Sequence, residues 1–382
     1  MKPIKISVVL VDRANYGRLK PVLEIMRDDS DIELNLVCTG TMLLDRFGRS
    51  VDLVKQDGFS IAEEVYIELE GSVSSTMAKS IGLAIIELSN VFQKYSPDFV
   101  LIIGDRSEAL GVAIAAVYQN FCLIHIQGGE VTGSIDESAR HAITKLAHYH
   151  FPSTNKSAEN IIQMGESKKC VFPYGCPSAD VVFQSRHKVG NLSLSKGVGP
   201  SLDLSLDYLL ILFHPVTTEC IDAESQMKEI LDTVQEIGMQ TVIIWPNIDA
   251  GADGVSQAIR IFRESNPKFM LHAFKKFEPE EYISLLNNAA CAIGNSSSFI
   301  RDASFLGTPI VLVGSRQDGR ERSDAVIKVE PIKQELINSV KFQLQNGKYK
   351  KSDLYGRVGV SKRIVEKIKT LHKYTQKKLN TK

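Results

Sequence analysis

Short, almost wholly apolar runs alternate regularly along this chain with stretches of helical spacing. The apolar runs of the first half cover residues 4–10, 33–38, 99–103, 122–126 and 148–152. Those of the second half cover residues 208–213, 240–245, 269–273, 291–293 and 309–313. Helical spacing lies between them at residues 18–27, 76–95, 138–147, 225–237 and 279–287. Strands this apolar need helices on both faces, so the pattern predicts an α/β fold with a doubly wound parallel sheet in each half.

The length of the chain and a break in this pattern predict two domains. A chain of 382 residues exceeds what one hydrophobic core usually holds. We predict a Rossmann-like domain over residues 1–186 and a second over residues 206–360, with a Gly-, Ser-, Leu- and Lys-rich stretch between them. Residues 361–382 are basic, but their apolar residues keep helical spacing. This favours a packed terminal helix over a tail that binds nucleic acid.

Composition argues against several classes of protein. Lys plus Arg number 45 and Asp plus Glu number 45, so the chain has no broad positive field for nucleic acid. No apolar run approaches the roughly 20 residues that span a bilayer. The first apolar run is followed at once by Asp12 and Arg13, which is typical of a strand and not of a signal peptide. The six cysteines are scattered without a CxxC pair, so we expect a cytoplasmic protein without disulfides or a membrane partner.

Carboxylates gather after two neighbouring apolar runs of the first half. Asp105 and Arg106 follow residues 99–103, and Glu130 and Asp136 lie in a glycine-containing loop after residues 122–126. In open α/β sheets ligands bind at the carboxyl ends of the strands, so both loops should face the cleft between the domains. Several nearby carboxylates suit acid–base chemistry. The alternative is that they only cap the helices that follow.

Hydroxyls and arginines mark the second half in the same way. Ser296 and Ser297 stand between a predicted strand and a helix, where backbone N–H groups and the helix dipole bind anions. Arg316 and Arg320 lie in a loop that could clamp phosphate. A serine cap and a salt-bridged surface loop are the alternatives. His214 also ends a strand, whereas Asn247 in a turn indicates function only weakly.

Neither a metal nor another cofactor is expected. His125, His141, His148 and His150 raise the possibility of a metal site, but they lack tight ligand pairs and no cysteine joins them. No GxxxxGK[ST] loop is present, which disfavours phosphoryl transfer from ATP. No GxGxxG follows the first strand, which weakens a dehydrogenase interpretation.

Seven motifs together resemble the hydrolysing UDP-N-acetylglucosamine 2-epimerases, whose members serve sialic and legionaminic acid synthesis. The motifs are GDRSEAL, HIQGGEVTGSIDESARHAITKLAHYHF, YGCPSAD, FHPVTTE, PNIDAG, GNSSSFIRDASFLGTP and GSRQDGRE. They cover nearly the whole chain in the family's order. The resemblance implies a GT-B-like fold in which the C-terminal helix crosses back to the first domain. It also implies a homodimer or homotetramer.

The resemblance further implies a reaction and residue roles. UDP-N-acetylglucosamine and water would give N-acetylmannosamine and UDP, by anti elimination to 2-acetamidoglucal and then hydration. The catalytic residues would be Asp105, Glu130, Asp136 and His214. Of these, Asp105 and Glu130 are the favoured candidates for the proton-transfer steps. The nucleotide-sugar would be bound by Arg13, Arg106, Asn247, Ser296, Ser297, Asp302 and Arg316.

Four positions depart from the family pattern and leave the substrate open. Asn15, Met42 and Gln127 replace an acid, a histidine and a glutamate, and Asp302 replaces a glutamate. UDP-N-acetylglucosamine is the first candidate, because GCPSAD and PNIDAG resemble the enzymes that use it. A UDP-2,4-diacetamido-2,4,6-trideoxy sugar is the alternative. Two competing hypotheses remain: a GT-B glycosyltransferase, and a sugar-nucleotide sensor without turnover.

Overall fold

The computed structural model describes residues 2–69, 73–185, 197–246, 249–275 and 277–380. Six parallel strands form the first sheet, in the order β3-β2-β1-β4-β5-β6. The strands are β1 Ile4–Leu10, β2 Ile32–Thr39, β3 Ile61–Val65, β4 Phe99–Ile103, β5 Cys122–Ile126 and β6 Tyr149–Phe151. The helices are α1 Arg13–Asp28, α2 Val51–Gln56, α3 Ser74–Tyr95, α4 Ser107–Tyr118, α5 Asp136–Leu146, α6 Asn155–Gln163 and α7 Ser178–Ser185.

A second sheet has the order β13-β12-β11-β8-β9-β10-β7 and is parallel except at β7, which pairs antiparallel with β10. The strands are β7 Gly197–Val198, β8 Leu209–Leu212, β9 Thr241–Ile244, β10 Leu271–Phe274, β11 Cys291–Gly294, β12 Ile310–Val313 and β13 Val326–Val329. The helices are α8 Ala223–Ile237, α9 Ala252–Ser265, α10 Pro279–Asn288, α11 Ser298–Leu306, α12 Lys333–Asn346 and α13 Val360–Lys369. The prediction of a doubly wound sheet in each half is confirmed.

Both sheets reverse their direction of growth at a central pair of strands. The first sheet grows from β1 toward β3 and from β4 toward β6, while the second grows from β8 toward β10 and from β11 toward β13. The loops that leave β1 and β4 therefore separate, as do those that leave β8 and β11. Such a reversal opens a crevice at the carboxyl ends of the strands.

The terminal helix α13 returns to the first sheet's core, as predicted. Its buried side chains Val360, Ile364, Val365 and Ile368 belong to the same hydrophobic cluster as the inner face of α1. Asp180 of α7 accepts hydrogen bonds from the backbone N–H groups of residues 359 and 361, which fixes the start of α13. The helix ends at residue 369, earlier than the predicted segment 361–382.

Three strands escape the sequence prediction. β3 and β13 lie at sheet edges and carry charged residues, and β7 has only two residues, so none gives an apolar run. Residues 187–196 of the predicted connection at 187–205 lie outside the described residues. The domain limits stay predictions. In the described part of the chain, no helix is both long and apolar enough to cross a membrane.

Candidate active site

One cleft between the two sheets gathers most of the predicted site residues. Its cavity volume is about 250 Å³. Among the predicted residues, those that line it are Arg13, Asp105, Arg106, Asp136, His214, Ser296, Ser297, Asp302 and Arg316. Glu130 does not line it, and Asn247 lies outside the described residues. The two loop groups predicted from the two halves therefore share one site.

Asp105 stands at the end of β4, where Gly104 turns the chain with φ +84°. The buried ring of His125 donates from Nε2 to the carbonyl oxygen of Gly104 at 2.8 Å and so braces this turn. Burial lowers the pKa of His125 to about 3, which keeps the ring neutral. Asp105 therefore follows directly after a turn that a buried hydrogen bond ties to β5.

The charge of Asp105 is stabilised by arginine. Burial alone would raise its pKa, but the guanidinium of Arg140 hydrogen-bonds the carboxylate, and Arg320 lies nearby. Together the guanidinium groups hold the pKa of Asp105 well below its usual value. Asp105 is therefore ionised at neutral pH, although its side chain is only 24% exposed.

Asp136 also lines the cleft, and its pKa is shifted in the opposite direction to that of Asp105. It begins α5, accepts a hydrogen bond from Ser134 Oγ at 3.1 Å and lies 3.6 Å from Arg316 Nη2. Burial and the negative charge of Asp105 raise the pKa of Asp136. Two carboxyl groups with proton affinities pushed apart are the usual arrangement for paired base and acid.

Glu130 lies behind the cleft, in a buried ion pair. Its Oε2 is 2.5 Å from Arg301 Nη2 and 3.0 Å from Arg320 Nη2, and its side chain is 3% exposed. Burial opposes ionisation, but these guanidinium groups lower the pKa of Glu130 to about 2. In this structure Glu130 is ionised but does not face the cavity.

The anion side of the cleft is built at the start of α11. Gly294 allows β8 and β11 to approach closely, because a Cβ there would stand 2.1 Å from the carbonyl oxygen of Leu212. Asn295 then binds both the N–H and the carbonyl of His214 at 2.8 Å, which joins the two strand ends. Ser296 and Ser297 follow at the positive end of the helix.

Two guanidinium groups contact this helix end, and a third lines the same cleft. Arg316 Nη1 donates to the carbonyl of Asn295 at 3.4 Å, and Arg18 Nη2 donates to Ser297 Oγ at 3.0 Å. Arg13 donates from Nη1 to the carbonyl of Lys275 at 3.1 Å, across the cleft. Guanidinium groups beside a helix N-terminus can bind a diphosphate with several charge-assisted hydrogen bonds.

His214 and Arg106 complete the polar lining. Burial and the charge of Arg316 lower the pKa of His214 to about 3, so its ring is neutral. Arg106 is fixed by Glu108, at 2.8 Å, and by Asp249 of the second domain, at 2.5 Å. Arg106 therefore links the two domains at the edge of the cleft.

The described residues contain no group of three or more His, Cys, Asp or Glu side chains arranged to hold a metal ion. His125 and His148 are instead engaged with backbone groups, and His150 with Glu166.

Comparison with known proteins gives the family. The sequence profile described as UDP-N-acetylglucosamine 2-epimerase matches residues 24–369. The chain belongs to this 2-epimerase family. The predicted resemblance is thereby confirmed, as is the prediction of an enzyme of this type, since curated relatives are named as hydrolysing 2-epimerases.

Two relatives illustrate the range of the 2-epimerase family. UDP-N,N'-diacetylbacillosamine 2-epimerase (hydrolyzing) of Legionella pneumophila is 34% identical over 373 residues, which are 97% of each chain. UDP-N-acetylglucosamine 2-epimerase of Neisseria meningitidis is 29% identical over 352 residues, which are 92% of this chain and 90% of the relative. The crystal structure of a Neisseria meningitidis UDP-GlcNAc 2-epimerase bound to UDP-GlcNAc has a TM-score of 0.80, at 19% identity, covering 96% of this chain and 100% of that one. This last likeness confirms the fold.

The positions that depart from the 2-epimerase pattern lie at or near the cleft. Asn15 contacts the cap of α1, since its N–H donates to Asp12 Oδ1 at 2.6 Å. Gln127, with φ +66°, accepts from Arg18 at 3.3 Å and donates to the thiol of Cys176 at 2.8 Å. Met42 is fully buried. The backbone at Gln127 is strained, which is a common feature of residues at binding sites.

Sequence reasoning missed some lining residues, among them Arg18 and Tyr282. Tyr282 of α10 shares a hydrogen bond of 2.5 Å with Ser298 at the start of α11. A signal for Arg18 was present, because it follows Arg13 in a polar run directly after the first strand. Tyr282 had no such signal, because it lies inside a helix and not at a strand end.

Proposed function

We propose that this chain is a hydrolysing 2-epimerase that converts a UDP-linked 2-acetamido sugar and water to UDP and the C2-epimeric free sugar. The observation that carries the proposal is the single cleft, in which an anion site at a helix N-terminus faces two carboxyl groups of opposed proton affinity. Elimination needs support for the departing diphosphate, and epimerisation needs one group to remove a proton and another to return it.

The leaving group would lie at the start of α11. Ser296, Ser297 and the guanidinium of Arg316 would accept its growing negative charge, and Arg13 and Arg18 would approach from the first domain. Asp302 lies one turn into α11, and its Oδ1 is buried without a hydrogen-bond partner among the described residues. A ribose hydroxyl would satisfy that oxygen.

Asp105 and Asp136 would handle the two protons. The ionised Asp105 takes the proton from C2 as the C1–O bond breaks. The electron pair of the C1–O bond leaves with UDP, and the electron pair of the C2–H bond forms the C1=C2 double bond. Water then adds its oxygen to C1, while Asp136 in its protonated form delivers a proton to the other face of C2. The proton that the added water loses restores Asp136, and Asp105 gives the C2 proton to solvent, so that both groups are reset. His214, which is neutral, would contact the diphosphate or the sugar.

This assignment differs from the sequence expectation for Glu130. Glu130 was expected in the proton steps with Asp105, but its carboxylate is turned toward Arg301 and Arg320. Asp136 lines the cleft and its pKa is raised, so it suits the role of proton donor better.

Two sugars compete as the substrate. The relative of 34% identity is named for UDP-N,N'-diacetylbacillosamine, a 2,4-diacetamido trideoxy sugar, and the relative of 29% identity for UDP-N-acetylglucosamine. We therefore place the diacetamido sugar first and UDP-N-acetylglucosamine second, which reverses the order favoured by the motifs alone.

The test is to incubate the purified chain with each sugar nucleotide separately, without any acceptor. Phosphorus NMR follows UDP and proton NMR follows the free sugar, with Asp105→Asn as the inactive control. The proposal expects UDP and the C2 epimer in equal amounts, with the higher kcat/KM for the diacetamido sugar. Two parallel measurements cover the rival functions: the same reaction with an added sugar acceptor, and calorimetry of nucleotide-sugar binding. Turnover only with the acceptor would indicate a glycosyltransferase, and tight binding without turnover would indicate a sensor; either result refutes the proposal.

A further inference from the structure

Beneath the cleft floor lies a buried charge cluster that joins the two domains. Arg320 Nη2 is 3.0 Å from Glu130 Oε2 and 3.9 Å from Asp105 Oδ2. Arg301 also binds the carboxylate of Glu130. Arg140 donates to the carboxylate of Asp105 and, at 2.7 Å, to the backbone carbonyl of Glu130. Arg301 and Arg320 come from the second sheet's domain, and the other three residues from the first.

This cluster holds more positive than negative charge. Three guanidinium groups face two carboxylates, and the side chains of Arg140, Arg301, Arg320 and Glu130 are each no more than 3% exposed. Only Asp105 reaches the cavity. Away from water, the surplus positive charge stabilises nearby negative charge strongly. It therefore favours the ionised form of Asp105, the carboxylate of the cluster that lines the cavity.

The hydrogen bonding of Arg320 argues against a purely structural role. Its Nε and Nη1 atoms are buried and have no hydrogen-bond partner among the described residues. Buried polar atoms without partners cost stability, so an arginine kept only for packing would be better satisfied. Arg316, four residues earlier, lines the cleft, so the two arginines of this loop have separate tasks.

Resting on the proposed function, we propose that Arg320 is a positioning residue: from the second domain it fixes Glu130 and stabilises the negative charge of Asp105. Contact between the two domains would then add to the stabilisation that Arg140 of the first domain already gives this carboxylate. The charged or titratable groups that face Asp105 are Arg140 and Asp136 of α5, His125 of β5, Arg301 of α11, and Arg320.

The test measures the titration of Asp105 directly, in the full chain without substrate. Protein with carbon-13 in its Asp carboxyl groups is titrated by NMR, and Asp105→Asn identifies the signal. Removing a positive charge 3.9 Å away in Arg320→Gln should raise the Asp105 midpoint by at least about one pH unit. Arg322→Gln, at an exposed arginine two residues away, is the matched control and should leave the midpoint unchanged.

A second variant and a second readout keep the test decisive. Should Arg320→Gln not fold, Arg320→Lys carries the test: its shorter reach should raise the midpoint by a smaller amount, at least about half a pH unit. With an active UDP-sugar, the acid limb of kcat should move with the midpoint while KM changes little. An unmoved midpoint in the folded variant overturns the inference. Absence of turnover in the wild type refutes the proposed function instead and leaves the NMR result valid.

Discussion

At the scale of single residues, two of the aspartates that line the cleft, Asp105 and Asp136, differ in their environments. Asp105 lies among guanidinium groups that stabilise its charge, whereas Asp136 is partly buried beside that charge. The difference follows from arginines that the fold brings from elsewhere in the chain. In the proposed mechanism, one residue type would thus supply both the proton acceptor and the proton donor.

Replacing Asp105 tests the proton acceptor. Asp105→Asn preserves the shape but removes the base, so UDP release should fall by roughly three orders of magnitude or more. UDP affinity, measured by calorimetry, should stay within a few fold because the proposed diphosphate site lies at the start of α11. Arg316→Ala is the contrasting variant and should weaken UDP binding. Wild-type UDP release by Asp105→Asn would contradict the assignment.

Replacing Asp136 should stop the reaction at a later point. Asp136→Asn cannot return a proton to C2, but the elimination can still proceed. We expect UDP to be released in the first turnover while the sugar accumulates as the 2-acetamido glycal, visible by its vinyl proton in NMR. Full conversion to the epimeric free sugar would show that another group supplies this proton.

Glu130 should matter for stability as well as for activity. Glu130→Gln leaves Arg301 and Arg320 without their buried partner, which should cost about 3–5 kcal/mol of unfolding free energy. Since the folded pKa is about 2, below the ordinary 4.5, the carboxylate stabilises the fold fully above about pH 4.5. This stabilisation is lost as pH falls from 4.5 toward 2. Urea unfolding at pH 7 and pH 3.5 should show a smaller difference between wild type and variant at the lower pH.

The sequence predicted which residues matter better than where they point. Asp105, Ser296 and Arg316 could be found because they follow apolar strands, and the carboxyl ends of these strands in the two sheets face one cleft. The burial of Glu130 could not be predicted, because its partner Arg301 is 171 residues away in the sequence. The same holds for Arg320, which was expected to clamp phosphate but faces the interior.

At the scale of elements, continuous apolarity predicted the central strands closely. The runs at 4–10, 99–103 and 122–126 coincide with β1, β4 and β5. The edge strands β3 and β13 were missed because their charged residues interrupt the apolar signal. Helix α1 begins at Arg13, earlier than predicted, because Asp12 caps it by accepting from the N–H of Asn15.

The return of α13 to the first sheet's core predicts a stability effect at the far end of the chain. Ile364 is fully buried against that core, so Ile364→Ala should lower the unfolding free energy by about 2–5 kcal/mol. Lys362→Ala, whose side chain is 73% exposed, is the control and should change it by less than about 0.5 kcal/mol. Equal stability of the two variants in urea unfolding would mean that α13 adds little to this core.

At the scale of the whole molecule, the cleft exists because two doubly wound sheets face each other across their switch points. The alternation of strands and helices predicted both sheets, and the positions of polar motifs after strands predicted that the cleft carries the chemistry. The pairings across it could not be predicted. The contact of Arg106 with Asp249, for example, depends on how two separately folded sheets dock.

Turnover of the UDP-sugar in heavy water would show whether the C2 proton is removed and returned. If carboxyl groups of the cleft remove and return the C2 proton, the released sugar should carry one deuterium at C2, with inverted configuration there, together with one UDP. Mass spectrometry and proton NMR of the product give both results. Released sugar with protium at C2 and unchanged configuration would mean simple hydrolysis and would contradict the account.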